Sequence, residues 1–187
     1  RHGGHDGDGR ALRYLEWTWD PNSADSTYTV DFAYLLREGT EVRAIHDRHA
    51  RLMISVWPKF YPGAEDFEAM RGRGFLYEST LGSGFKDWVG PGYPYAFFDA
   101  FSPGARQLFW GQIERALFRR GVDAWWMDAS EPDLVQPMPE LDLQRAHVHP
   151  TAMGAGARVL NAYSLVNSQG IYEGQRAAAP DQRVFIL

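Results

Sequence analysis

Acidic side chains crowd into one short stretch, "GVDAWWMDASEPD" (121–133), where Asp128, Glu131 and Asp133 follow a nearly unbroken apolar run. A carboxylate at the carboxyl end of a buried parallel strand projects into the mouth of a cleft. There it can act as nucleophile, base or metal ligand, or it can cap the following turn through its own side chain. Asp128 and Glu131 would make a carboxylate pair, but three residues across a loop leave their separation open. Asp128 and Asp133 with His147 and His149 would make a metal set, because "HVH" (147–149) has the look of ligand spacing. Alternate residues on an extended segment face opposite ways, however, and no fixed ligand pattern joins the four, so neither metal nor cofactor is expected. His2 and His5 read as a solvated tail. No G-x-S-x-G elbow is present, which argues against a serine hydrolase.

These residues need elements to position them. "VDAWWM" (122–127) is read as a buried strand. "RLMISVW" (51–57) is another, stopped by Pro58. "RVFIL" (183–187) is a third, in which the chain stops. The strongest helix signal is "SPGARQLFWGQIERALFRRG" (102–121), with Ser102 as cap, Pro103 in the first turn and Gly121 at the end. Leu108, Phe109, Ile113 and Leu117 form its inward stripe. A helix is predicted over 40–50 behind Thr40, and a short one over 64–71. "HPTAMGAGARVLNAYSLVNSQG" (149–170) reads as a helix ended by Gly170, and "IYEGQRAAA" (171–179) as a separate, shorter one. Near the start, "LRYLEWTW" (12–19) suits a strand, and "HGGHDGDG" (2–9) reads as an irregular, mobile segment.

From residue 40 the order is helix, strand, loop, helix, strand, loop, helix, strand. Apolar strands separated by helices indicate a parallel sheet covered on both faces. Successive strands lie about 60 to 70 residues apart, against about 30 in a plain repeat of a (β/α)8 barrel. The excess follows the strand ends, where such a barrel builds its site, and the long aromatic stretch 58–101 is of that kind. The fold class is therefore α/β, a partial TIM barrel with long loops at the carboxyl ends of its strands. A doubly wound open sheet is the alternative, but no Gly-rich phosphate loop follows a strand.

The 187 residues suffice for one sizeable domain. A net charge of −5 gives no electrostatic support for nucleic-acid binding. No apolar run approaches the ~20 residues of a membrane helix. The absence of cysteine excludes disulfides without fixing a compartment. The opening residues have neither a signal-peptide core nor an initiator Met, which suggests a fragment. Aromatics make up 14% of the chain, with seven Trp and nine Tyr, a supply that suits either a large core or a sugar-binding cleft.

The nucleophile-strand stretch "GVDAWWMDASEPD" resembles that of glycoside hydrolase family 31, the α-xylosidases above all. "AIHDRHARLMISVWPKFYPG", "FFDAFSPGARQLFWGQI" and "NAYSLVNSQGIYEGQRAAAPDQRVFIL" carry the same likeness, in the same order. The resemblance runs over 42–187 and implies the central part of a barrel that hydrolyses α-linked sugars with retention. It implies that Asp128 is the nucleophile, that Glu131 holds the loop, and that Trp57 and Trp126 line the sugar site, with Lys59 and Phe60 as weaker contacts. Retention needs a second carboxyl group about 5 to 5.5 Å from the first. In the family that acid lies past the strand beginning at Arg183, so the acid/base is expected to be absent from this chain. Residues 1–41 do not match what the family has upstream, where another substrate-contacting Asp sits near aromatics. Asp20 in "EWTWD" is a faint echo of it. An α-glucosidase, an α-glucosyltransferase on the same barrel and a non-catalytic carbohydrate-binding domain stand as alternatives. Each would take a sugar as partner, not nucleic acid or membrane.

Overall fold

The computed structural model describes residues 2–7, 10–19, 29–38, 51–82, 86–87, 92–132, 145 and 147–187. The predicted helix over 40–50, Asp20 and Asp133 lie outside them.

The first three strands form an antiparallel meander: β1 (His2–Gly7), β2 (Arg10–Trp19) and β3 (Thr29–Glu38). The ten-residue pairing of β2 with β3 runs from Arg10 opposite Glu38 to Trp19 opposite Thr29. Here the glycine-rich start departs from its reading as an irregular segment, because residues 2–7 pair with 10–15. Glycine weakens a strand by itself, but a neighbouring strand satisfies backbone N–H and C=O groups whatever the side chains.

The second half is α/β. The strand β4 (Met53–Ser55) is followed by β5 (Lys59–Phe60), α1 (Glu65–Arg71) and β6 (Ala96–Phe97). Then come α2 (Pro103–Ala116), β7 (Ala124–Trp126), α3 (Gly156–Val159) and α4 (Tyr163–Ala178). β4 and β7 run parallel, with Met53, Ile54 and Ser55 opposite Ala124, Trp125 and Trp126. The predicted third strand joins on the far side of β7: Ile186 bridges Trp125 in parallel, and Leu187 N–H donates to Trp125 O at 2.9 Å. β5 and β6 are a short antiparallel pair inside the long loop, with Lys59 opposite Phe97.

Helix α2 starts as its sequence dictates. Ser102 Oγ accepts from Ala105 N–H at 3.3 Å, and Pro103 takes the first position, where no N–H is needed. The 3-10 turn after it ends at Gly121, whose φ of 97° is open to glycine at little cost. Of the predicted stripe, Phe109 and Ile113 are buried. Leu108 and Leu117 are partly so, and Ala105, Trp110 and Gln112 complete the inward face.

Helix α4 corrects the reading of Gly170 as a stop. The helix passes through it, so 163–170 of the first predicted helix and nearly all of the second form one element, whereas 149–162 of the first holds only α3 and a 3-10 turn. A Cβ on Gly170 would lie 2.9–3.1 Å from the Arg106 side chain, and one on Gly174 only 2.2–2.6 Å from the Trp110 ring. Both glycines thus mark the close approach of α4 to α2. Behind them the core is largely aromatic. Phe98 packs on Phe109 at 4.7 Å between centroids, and Trp110 stands edge-on to Trp125 at 6.0 Å and 90°.

A buried carboxylate knots the long loop to this core. Asp99 accepts from Tyr77 O–H at 2.7 Å, from Phe101 N–H at 3.1 Å and from Ala152 N–H at 2.7 Å. Tyr163 O–H donates to the neighbouring Phe98 carbonyl at 2.8 Å. Burial, and next the nearby Asp99 carboxylate, push both tyrosine hydroxyls well above their ordinary pKa.

Candidate active site

The parallel strands present two unlike faces. Side chains alternate along a strand, and partners in register share a face. Ile54, Trp125 and Ile186 face the helices, where Trp125 is fully buried. Its Nε1 donates to Gln175 Oε1 of α4 at 2.7 Å. The other face carries Met53, Ala124 and Phe185 in one row and Ser55, Trp126 and Leu187 in the next. It is open: Trp126 is 41% exposed, Phe185 53% and Leu187 67%.

Asp128 lies at the carboxyl end of that open face. Met127 continues the ladder, its N–H donating to Leu187 O at 2.8 Å, and its side chain is buried on the helix side. Alternation then gives Asp128 the side of Trp126, and its carboxylate is exposed. Ser55 stands opposite Trp126, and Val56 N–H donating to Trp126 O at 2.9 Å completes that last pair of the β4–β7 ladder. Trp57 and Asp128 each follow two residues later, beyond the paired residues.

Trp57 is fixed from two directions. Its Nε1 donates to Ser55 Oγ at 3.1 Å, and Lys59 Nζ lies 5.0 Å from its ring centroid. Lys59 is itself buried, 4.9 Å from the Tyr95 ring and 3.4 Å from Asp87 Oδ2. Tyr61 O–H donates to the same Asp87 oxygen at 2.6 Å. A desolvated ammonium among aromatic faces with a carboxylate counter-charge is a stable way to bury a lysine. Phe60 points elsewhere, into the core against Phe98 and Phe109.

Glu131 is exposed and has no hydrogen-bond partner among the described residues. The side chain that ties down this turn is one the sequence reading passed over. Ser130 is buried, and its Oγ donates to Met127 O at 2.5 Å. Ser164 of α4 donates to Ser130 O at 3.1 Å, and Asn167 Nδ2 reaches Ser130 Oγ at 3.5 Å. The available signal was the polar pair at 164 and 167, one helical turn apart and amid apolar residues. Between Asp128 and Ser130, Ala129 has φ of 51°, the left-handed region that side chains with a Cβ rarely adopt.

His149 is exposed and His147 partly buried, and Ser79 Oγ donates to the His147 carbonyl at 2.9 Å. Among the described residues no group of three His, Asp or Glu side chains could hold a metal, and no helix is long and apolar enough to cross a membrane. Two grooves mark the surface elsewhere. One, of about 470 Å³, lies between α2 and α4 along Arg106, Trp110 and Gly174. The other, of about 620 Å³, lies at the amino ends of the strands along Arg51, Asp123 and Arg183. Neither is lined by Asp128, Trp57 or Trp126, although the second reaches the same face of the sheet at Met53, Ala124 and Phe185.

Parallel strands packed on helices, with an exposed carboxylate after the strand β7, define an α/β protein. Comparison with known proteins gives its family. The model for the Glycosyl hydrolases family 31 TIM-barrel domain matches residues 11–187, so the match takes in β2 and β3. The chain belongs to glycoside hydrolase family 31. It is 30% identical over 179 residues to an α-xylosidase of Saccharolobus solfataricus, covering 92% of this chain and 21% of that protein. The crystal structure of an α-xylosidase from Xanthomonas citri superposes with a TM-score of 0.73 at 42% identity, covering 78% of this chain and 16% of that one. A soil-metagenome α-xylosidase solved with xylose gives 0.61 at 25% identity, covering 78% and 21%. The chain thus spans about a fifth of the length of these relatives.

Proposed function

We propose that residues 42–187 are the central part of the (β/α)8 catalytic barrel of a retaining α-glycosidase acting on α-xylosides. Asp128 is its nucleophile. One carboxylate oxygen attacks the anomeric carbon as the glycosidic C–O bond breaks. The departing oxygen takes a proton from an acid contributed by residues outside 1–187. Water, deprotonated by that same group, then attacks the covalent glycosyl ester, so two inversions give net retention. Trp57 and Trp126 supply flat apolar walls for the sugar, and Glu131 belongs to the loop beside it. The supporting observation is that Asp128 is exposed just past the carboxyl end of a parallel strand, two residues after the exposed Trp126. The names of the relatives favour a xyloside over a glucoside.

The test is Asp128→Ala in the longer enzyme that carries this stretch. Turnover of an aryl α-xyloside disappears, while xylose binding, read by indole fluorescence, is retained. Azide, standing in for the missing carboxylate, restores release of the aryl group. The 187-residue chain alone turns over no α-xyloside. Persisting turnover in the variant, or ordinary enzyme rates from the short chain, refutes the assignment. A larger kcat/KM on α-glucosides would move the substrate and keep the nucleophile.

A further inference from the structure

The turn that aims Asp128 is held from behind by one helix. Ala129 sits at φ 51°, a conformation that L-residues rarely adopt, and such residues persist only where their surroundings over-determine them. The surroundings here are Ser130 and α4. Ser130 folds back on Met127 O at 2.5 Å, Ser164 Oγ donates to the Ser130 carbonyl at 3.1 Å, and Asn167 Nδ2 approaches Ser130 Oγ at 3.5 Å. Asn167 is fully buried, and its Oδ1 has no partner among the described residues. A buried amide with one unmet acceptor is a poor choice for stability alone. Two helical turns further on, Gln175 of the same helix holds Trp125 of the nucleophile strand at 2.7 Å. One helix thus grips β7 and the turn after it at two levels.

We infer that Ser130, Ser164 and Asn167 are positioning residues that hold the strained Asp128–Ala129 turn in the orientation its carboxylate needs for attack. The inference rests on Asp128 being the nucleophile. Proper placement of a reacting group matters steeply, since a shift of about 1 Å can cost roughly 10²-fold in rate.

The experiment separates placement from folding. In the longer enzyme, Ala129→Gly removes the backbone strain, so the melting temperature stays level or rises. The freed turn nevertheless lowers kcat by about 10-fold or more, with KM little changed. Ser164→Ala lowers kcat similarly, and Ser164→Thr, which keeps the hydroxyl, recovers most of it. A merely structural brace would make kcat follow stability, and Ala129→Gly would then be fully active. Full activity in both Ala129→Gly and Ser164→Ala, beside an inactive Asp128→Ala, overturns the brace and leaves the nucleophile standing. Turnover retained in Asp128→Ala takes both down.

Discussion

The close approach of α4 to α2 can be tested with one substitution made at two places. Gly111 and Gly174 both lie inside helices, and on helix propensity alone alanine is better than glycine at either by about 1 kcal/mol. Their surroundings differ. A Cβ on Gly111 meets nothing within 4 Å, whereas one on Gly174 would lie 2.2, 2.4 and 2.6 Å from three Trp110 ring atoms. The indole cannot bend, and it is backed edge-on by Trp125 and flanked by Phe118. Overpacking of this kind costs typically 1–3 kcal/mol, and contact this short with a rigid ring belongs at the upper end. Subtracting the propensity gain leaves Gly174→Ala destabilised by about 2 kcal/mol, while Gly111→Ala is stabilised by about 0.5–1 kcal/mol. For a chain this long, 1 kcal/mol moves the melting temperature by roughly 2–4 °C, so the variants should shift in opposite directions by several degrees. Urea unfolding read by tryptophan fluorescence supplies the free energies. Equal stability of the two variants would refute the packing argument, and so would a Gly174→Ala protein more stable than its parent.

Two further outcomes follow from the buried polar groups. The hydroxyls of Tyr77 and Tyr163 are held protonated in the folded chain well above the unfolded tyrosine value of about 10. Their contribution is therefore complete below about pH 10 and is lost as pH rises toward the folded values, by up to about 1.4 kcal/mol per pH unit for each tyrosine. Urea midpoints taken from pH 8 to 11.5 should stay level and then fall, and a midpoint flat through pH 11.5 would contradict this. At the Lys59–Asp87 pair, Asp87→Ala removes a carboxylate 3.4 Å from a desolvated ammonium and should lower the thermal midpoint, whereas Lys59→Met with Asp87→Leu, which removes both charges, should recover much of that loss. A double variant as unstable as the single one, by thermal unfolding, would show that the pair's charge is not the cause.

What could be read from the sequence was whatever depends on local pattern. The strand at 124–126 was legible because an apolar run ended in an acid. Helix α2 was legible because Ser102, Pro103 and Gly121 each have a conformational reason for their places. The misreadings have a different origin. Gly170 reads as a stop because propensity describes an isolated helix, while its real constraint is Arg106, 64 positions away in the chain. Residues 2–7 read as a loop because their partner strand, not their own side chains, supplies the structure. The brace beneath Asp128 was illegible for the same reason. Ser130 reads as a turn residue until α4 is laid against it, and nothing local distinguishes it from Glu131, which the exposure pattern leaves in solvent.

The two faces of the parallel strands divide stability from reactivity. On the helix side, Trp125 is wholly buried, hydrogen-bonded to Gln175 and edge-packed on Trp110, so its position is over-determined. Its neighbour Trp126, one residue on, has no such duties and faces outward beside Ser55. The strand can therefore be anchored by one indole while the next is free to meet a ligand, and each step of alternation repeats the division: Met127 in, Asp128 out. A carboxylate placed on the anchored side would be desolvated and would shed its charge. Placed on the open side, it stays in contact with solvent and is tied through its backbone turn. That is why the brace had to come from the residue after next, on the helix side of the sheet, rather than from any group touching the carboxylate itself.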